Sequence, residues 1–203
     1  MALNAAVIAQ IMPRLQLRTL TVDVDGVVVS SGLQVERAER SYNPHRRKVP
    51  SYYPITAHLA ETTHVLRVRN RSGNAHDSRG SVAFLRELWG QLASFGVPSS
   101  QIRFGMNGAF FQQDVLRWLA WREVGYAIKV PSQFIRRSPR WTRVSAEVSG
   151  FVVPAIANPW GTPLWVVIYR RKVRHRTAKN FQLDLFDPDD GSYEYSAITS
   201  NLA

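Results

Sequence analysis

An alternation of strand and helix patterns between residues 81 and 130 limits this chain to few folds. Apolar residues recur at helical spacing over 81–95 and over 111–123, whereas Ile102–Met106 and 126–130 are short β-prone segments. Strands that follow one another through a helix pair in parallel, so this pattern predicts an α/β domain with parallel central strands. The 203 residues, of which 45% are hydrophobic, suffice for one such core.

The segment 19–25 alternates between apolar and polar residues, which predicts a strand with one buried face. Asp23 and Asp25 fall together on its polar face. In α/β domains, functional sites gather beyond the carboxyl ends of the central strands, where Asp25 would lie. Two like charges this close repel each other unless a cation relieves them, so the pair is a candidate ligand set for Mg²⁺. An edge strand with a solvated polar face is the alternative interpretation.

Asn107 follows the predicted strand 102–106, where a second ligand at a strand end would belong. Its side-chain oxygen can contact a metal, although it carries no charge. Asn-Gly is also a frequent turn sequence, because asparagine tolerates the left-handed conformation. Both interpretations stay open at this point.

Weaker patterns complete the outline of the chain. A weak helix is expected over 3–15, ending near Pro13, and Gly26 is expected to turn the chain into a return strand over 27–29. Further strands are predicted over 55–60 and 64–68, and Asp77 or Ser78 is predicted to cap the helix that ends at Gly96. The β-prone segments over 141–169, 181–186 and 193–198 indicate an antiparallel β insertion.

The chain is strongly basic, with a net charge of +11. This charge favours a polyanionic partner, nucleic acid ahead of an anionic membrane surface. Most of the basic residues are arginines, which suit bidentate phosphate contacts, although a GC-rich genome would give the same composition. The alternative for each of them is a solvated surface. The candidate DNA contacts are Arg40, His45, Arg46, Arg47, Lys48, Lys129, Arg170, Arg171, Arg174 and Arg176.

Several function classes are excluded by what the sequence lacks. It has no cysteine, which rules out disulfides, thiolate zinc sites and cysteine nucleophiles. It also has no zinc-protease histidine motif, no nucleophile elbow and no glycine-rich phosphate loop. Because no apolar run reaches about 18 residues and no signal-peptide pattern is evident, we expect a cytoplasmic protein without a membrane partner.

Several short motifs, taken in chain order, resemble those of the DDE transposases of bacterial insertion sequences. The similar branch of that family carries D-x-D-x-T, G-x-Q, G-Y-N-P-H, S-Y-H-P, G-N-x-x-D, G-D-x-G-F-F and Y-x-I-K. Each motif is weak alone, but their order and spacing agree over residues 17–202. The matching segments are Leu20-Thr-Val-Asp-Val-Asp25, Gly32-Leu-Gln34, Ser41-Tyr-Asn-Pro44-His45, Ser51-Tyr-Tyr-Pro54, Gly73-Asn74-x-x-Asp77, Asn107-Gly-Ala-Phe110-Phe111 and Tyr126-Ala-Ile-Lys129.

The resemblance implies a ribonuclease H-like α/β fold, in which helices flank a mixed sheet, with a mostly β insertion and an incomplete C-terminal part. The expected domains are an N-terminal helical remnant (1–16), the catalytic core (17–130), and the insertion with the start of the core's last part (131–203). A two-metal site of Mg²⁺ or Mn²⁺ would cleave and transfer DNA strands. Asp25 matches the family's first acid, Asp23 is a less favoured candidate ligand, and Asn107 aligns with the second acid.

The same resemblance implies DNA as the partner, both at the ends of the element and at its target. It further implies a homodimer, or an assembly with an intact transposase, in a bacterial cytoplasm close to the nucleoid. These expectations concern partners and location and come from the family alone.

Two departures from the family pattern predict that catalysis is impaired. The amide of Asn107 supplies no negative charge where the family has an aspartate, so the metals would be held less well. The family's third acid is a glutamate within a Tyr…Arg…Glu…Lys signature on a later helix, and this sequence contains no counterpart. The alternative function is therefore a non-catalytic DNA-binding remnant of a transposase.

Overall fold

The fold is taken from a computed structural model. It describes residues 2–15, 17–31, 35–40, 49–76, 78–131, 141–153, 164–172 and 193–202. The chain divides into two compact units, one formed by residues up to 128 together with Leu202, the other by residues 129–201. None of the described helices is long and apolar enough to cross a membrane.

The first unit contains a mixed sheet with parallel central strands. Its strands lie in the order β5 (Val65–Arg69), β4 (Ile55–Leu59), β1 (Leu20–Gly26), β6 (Ile102–Met106) and β7 (Gly125–Val130). Strand β6 pairs in parallel with both β1 and β7, whereas β4 is antiparallel to β1 and β5. The prediction of parallel central strands is therefore confirmed. The elements are α1 (Ala2–Leu15), β1 (Leu20–Gly26), β2 (Val29–Ser30), β3 (Ser51–Tyr52), β4 (Ile55–Leu59), β5 (Val65–Arg69), α2 (Ser81–Ser94), β6 (Ile102–Met106), α3 (Gln113–Trp121) and β7 (Gly125–Val130).

The apolar face of this sheet forms the core against α2 and α3. Leu20, Val22 and Val24 of β1 are buried, as the alternation predicts. Trp118 of α3 links the layers, since its ring lies 6.1 Å from Phe104 of β6 and 6.1 Å from Trp89 of α2. Burying one such large side chain stabilises a fold by about 1.5–3 kcal/mol. The opposite face of β1 is thereby left to Asp23 and Asp25.

The helix expected over 3–15 is present as α1 and continues past Pro13 to Leu15. Two other local predictions are wrong. The residues after Gly26 do not return along β1: β2 pairs with β3, and the antiparallel neighbour of β1 is β4. The residue at the N-cap of helix α2 is Gly80, which has a left-handed φ of 76° and no side chain to cap the helix. Ser78 is therefore not the cap. Asp77 lies outside the described residues.

Helix α2 is fastened to the edge strand β5 by one carboxylate. Glu87 accepts hydrogen bonds from Arg67, at 2.6 and 3.0 Å, and from Arg69. These bonds and the two positive charges hold the pKa of the Glu87 carboxyl below its usual value. The side chain of Glu87 is 46% exposed, so solvent screens part of this attraction.

The second unit is an antiparallel sheet, as the β-prone pattern predicts. Its strands are β8 (Thr142–Arg143), β9 (Val148–Val153), β10 (Val166–Lys172) and β11 (Tyr193–Ser200), in the order β11-β10-β9-β8. All three pairings are antiparallel. The predicted strand over 181–186 lies outside the described residues.

Candidate functional site

The candidate site lies at the carboxyl ends of β1 and β6, which are neighbouring parallel strands. Strand β1 ends at Gly26, directly after Asp25, and β6 ends at Met106, directly before Asn107. Because parallel strands end at the same edge of a sheet, both side chains reach the same place. The structure thus brings together the two residues that the sequence puts forward first.

Asn107 and Asp25 are joined by a short hydrogen bond. The Nδ2 of Asn107 donates to the Oδ1 of Asp25 at 2.6 Å, and the backbone N–H of Gly26 donates to the same oxygen at 2.8 Å. A carboxylate can only accept, so the amide must present its NH₂ group to it. The remaining Oδ1 of Asn107 accepts from the backbone N–H of Ala109 at 2.9 Å and begins the short 3₁₀ helix Gly108–Phe110.

Asp23 lies on the same face as Asp25 but turns toward another neighbour. Its Oδ2 is 3.8 Å from the Nε2 of His58 on β4, and both side chains are partly exposed. Its carboxylate lies over Gly105 of β6, where any side chain would collide with it. Among the described residues, Asp23 and Asp25 therefore have different partners and do not converge on one group.

His58, Thr56 and Gly105 contribute to the site and were not predicted from the sequence. Thr56 donates from its Oγ1 to the backbone oxygen of Asp25 at 3.3 Å, and it lies opposite Asp25 in the pairing of β1 with β4. The alternation within β4 signals that Thr56 and His58 share a polar face. It does not signal that β4 pairs with β1, so the sequence alone could not join them to Asp25.

Comparison with known proteins gives an informative match among solved structures. No family model and no curated protein matches the chain. The piggyBac transposase, in the cryo-EM structure of its synaptic complex with hairpin DNA, matches with a TM-score of 0.50 and 10% identity. The match covers 88% of this chain but 32% of that one. The fold is ribonuclease H-like.

A second match adds nothing to this assignment. Marinitoga piezophila Argonaute, solved with a guide RNA and target DNA, covers 91% of this chain and 23% of its own, with a TM-score of 0.34 and 9% identity. At that score the similarity carries no argument. At the identities of both matches, similarity in structure concerns the fold, and chemistry must be argued from the site.

The donor set around Asp25 does not fit the two-metal centre of ribonuclease H-like transposases. Hard divalent cations require oxygen ligands, and carboxylates above all. Asn107 instead directs its nitrogen at Asp25, and its amide oxygen already accepts a backbone bond. No group of three or more acidic or histidine side chains that could hold a metal occurs among the described residues. In this arrangement Asp25 is a single carboxylate with an uncharged partner.

Four of the candidate DNA contacts lie within the described residues. Arg40 and Lys129 are exposed, and so is Arg171 on β10. Arg170 differs, since its guanidinium lies 4.4 Å from the ring centre of Trp141 and 4.3 Å from that of Tyr193. Such cation–π stacking stabilises the sheet of the second unit, and the Nε of Arg170 is buried without a hydrogen-bond partner. The remaining candidates, His45, Arg46, Arg47, Lys48, Arg174 and Arg176, lie outside the described residues.

Proposed function

We propose that this chain is the catalytic domain of a DDE transposase of the insertion-sequence type, in which metal-dependent strand cleavage is impaired at Asn107. The observation that carries the proposal is the meeting of Asp25 and Asn107 at the ends of two parallel strands. The ordered series of motifs and the ribonuclease H-like fold support the same function.

The impairment follows from charge. Phosphoryl transfer needs positive charge to offset the charge that develops on the phosphate, and in this fold class metal ions held by carboxylates supply it. Asn107 replaces one carboxylate with a neutral amide. Its NH₂ group also engages the Oδ1 of Asp25, so a cation that binds this oxygen must compete with a 2.6 Å hydrogen bond.

The second candidate is a transposase-derived protein that binds DNA and does not cut it. The same hydrogen bond favours it, because one oxygen of the Asp25 carboxylate is already engaged by both Asn107 and Gly26. The net charge of +11 supports DNA binding in both proposals. The two differ in whether any strand cleavage remains.

Two assays separate these functions. We expect the chain to bind duplex DNA with an affinity that falls steeply as salt rises, because phosphate contacts release counterions. Mn²⁺-dependent nicking that disappears in Asp25→Ala would favour a residual enzyme, whereas binding without nicking would favour the non-catalytic protein. Failure to bind DNA even at low salt would contradict both.

The role of position 107 is tested by restoring the family's aspartate. We expect Asn107→Asp to strengthen Mn²⁺ binding in a calorimetric titration by about tenfold or more, since a second carboxylate adds charge beside the first. Asn70→Asp, which adds the same charge at an exposed position after β5, is the matched control. Equal Mn²⁺ binding by the Asn107→Asp variant and the parent chain would refute the assignment. We do not expect Asn107→Asp alone to restore transposition, because the family's site also requires a third acid on a later helix.

A further inference from the structure

Asn107 is followed by Gly108, and it is the one asparagine of the sequence that a glycine follows. This dipeptide has a known chemical weakness. The backbone nitrogen of the glycine can attack the side-chain carbonyl carbon of the asparagine and form a five-membered cyclic imide. Glycine permits the attack because it has no side chain to obstruct that nitrogen and leaves the backbone free to rotate.

Two contacts of Asn107 would assist this reaction. As the nitrogen of Gly108 attacks, negative charge develops on the Oδ1 of Asn107, which already accepts a hydrogen bond from Ala109 N–H at 2.9 Å. A donor directed at such an oxygen lowers the barrier, as in an oxyanion hole. The departing nitrogen, Nδ2, lies 2.6 Å from the carboxylate of Asp25. That carboxylate therefore lies where it can relay to Nδ2 a proton that the attacking nitrogen loses to water.

We propose that Asn107 is a site of spontaneous deamidation, which creates a second carboxylate beside Asp25. The bond between the Gly108 nitrogen and the Asn107 side-chain carbon forms while the bond to Nδ2 breaks, and ammonia leaves with the proton that the Gly108 nitrogen loses. Water then opens the imide. Opening at one carbonyl gives aspartate in the normal chain, and opening at the other gives isoaspartate, which adds a carbon to the backbone.

Deamidation would give position 107 the negative charge that the transposase family carries there and that this sequence does not encode. A newly made chain holds Asp25 against a neutral amide, whereas a converted chain holds two carboxylates at the same strand ends. Two carboxylates this close repel each other, so a divalent cation would relieve the product and not the starting amide. This consequence rests on the proposed function, but the deamidation itself does not.

The test is peptide mapping by mass spectrometry on the folded, full-length chain. The protein is incubated at neutral pH in heavy-oxygen water, so that each opened imide carries the label. Acid at position 107 is expected to accumulate about tenfold faster than at Asn4 or Asn74, each of which precedes an alanine. The same difference is expected between the parent chain and Gly108→Ala.

Two results would overturn the proposal. One is conversion at position 107 no faster than at Asn74. The other is conversion in the folded chain far slower than in the same chain unfolded in urea, which would show that the contacts protect Asn107. In Asp25→Ala, slower deamidation of the folded chain with an unchanged rate in urea would support a role of Asp25 in the reaction.

The outcome stays distinct from that of the proposed function. Labelled acid at position 107 establishes deamidation even if the directly made Asn107→Asp variant binds no extra Mn²⁺, in which case the transposase assignment fails alone. Conversely, strong Mn²⁺ binding by Asn107→Asp without any labelled acid refutes deamidation and leaves the assignment intact.

Discussion

Two carboxylates of the first unit are held in opposite ways. Glu87 on α2 is paired with two arginines, whereas Asp25 on β1 meets an uncharged amide and a backbone N–H. Arginine pairing neutralises the charge of Glu87 within the fold. The partners of Asp25 donate hydrogen bonds to one of its oxygens but leave its charge uncompensated. The contrast separates a carboxylate that fastens a helix to a sheet from one that no arginine or lysine of the described residues neutralises.

The largest expected effect on stability comes from giving a negative charge to Asn107, the uncharged partner of Asp25. Asn107→Asp removes a donor from Asp25 and places a like charge beside it, so we expect the metal-free chain to lose about 1–3 kcal/mol of unfolding free energy. Urea denaturation measures this loss. The exchanged double variant, Asp25→Asn with Asn107→Asp, recreates the hydrogen bond in the reverse direction. It should recover most of the loss, and no recovery would show that the bond contributes little.

An intermediate effect is expected at Glu87. The change Glu87→Gln leaves two arginines without their charged partner and should cost about 1 kcal/mol of unfolding free energy, a modest value because the pair is partly exposed. Glu123→Gln, at an exposed position after α3, is the control and should change little. Equal losses in both variants would mean that the arginine pairing does not fasten α2.

The same pair predicts a pH dependence. The pKa of Glu87 is lowered in the folded chain, so its contribution is complete above the ordinary glutamate value and is lost as the pH falls through the folded-state pKa. Acidification should therefore narrow the stability difference between the parent chain and Glu87→Gln. Thermal unfolding of both across this acidic range measures the effect, and a difference that stays constant would contradict the ion-pair interpretation.

The smallest expected effect on stability is at Asp25 itself. The change Asp25→Asn removes a charge that no arginine or lysine of the described site offsets, so the unfolding free energy should shift by no more than about 0.5 kcal/mol. Mn²⁺ binding by the Asn107→Asp variant, in contrast, should be lost when Asp25→Asn is added. A large destabilisation by Asp25→Asn would show that Asp25, like Glu87, stabilises the fold, and would contradict the distinction between them.

Local alternation was sufficient to predict part of this site. The pattern of residues 19–25 placed Asp23 and Asp25 on one face, and the two helical segments implied parallel strands whose ends bring Asn107 to Asp25. Strand pairing over a long sequence separation leaves no local trace. The strand over 55–60 was therefore predicted, but its pairing with β1, which brings His58 beside Asp23, was missed. The short segment after Gly26 was assigned to the position that β4 occupies.

The sequence also could not show which arginines pack within the fold and which are exposed. Arg170 and Arg171 are adjacent and equally basic, yet Arg170 is stacked between Trp141 and Tyr193, and Arg171 is exposed. The stack joins residues from three segments of the second unit, and composition does not distinguish it from a phosphate contact. Likewise, the two arginines of β5 are indistinguishable in the sequence from free surface charges until α2 supplies Glu87.

Gly105 matters to the site because it lacks a side chain. The residue is half-buried and any side chain would meet the carboxylate of Asp23, which is flexible enough to move aside. A larger residue would thus leave a folded protein with a redirected acid. Many residues would therefore be tolerated at position 105 when folding is scored, whereas few would be tolerated, under the proposed function, when the chemistry of the carboxylates is scored.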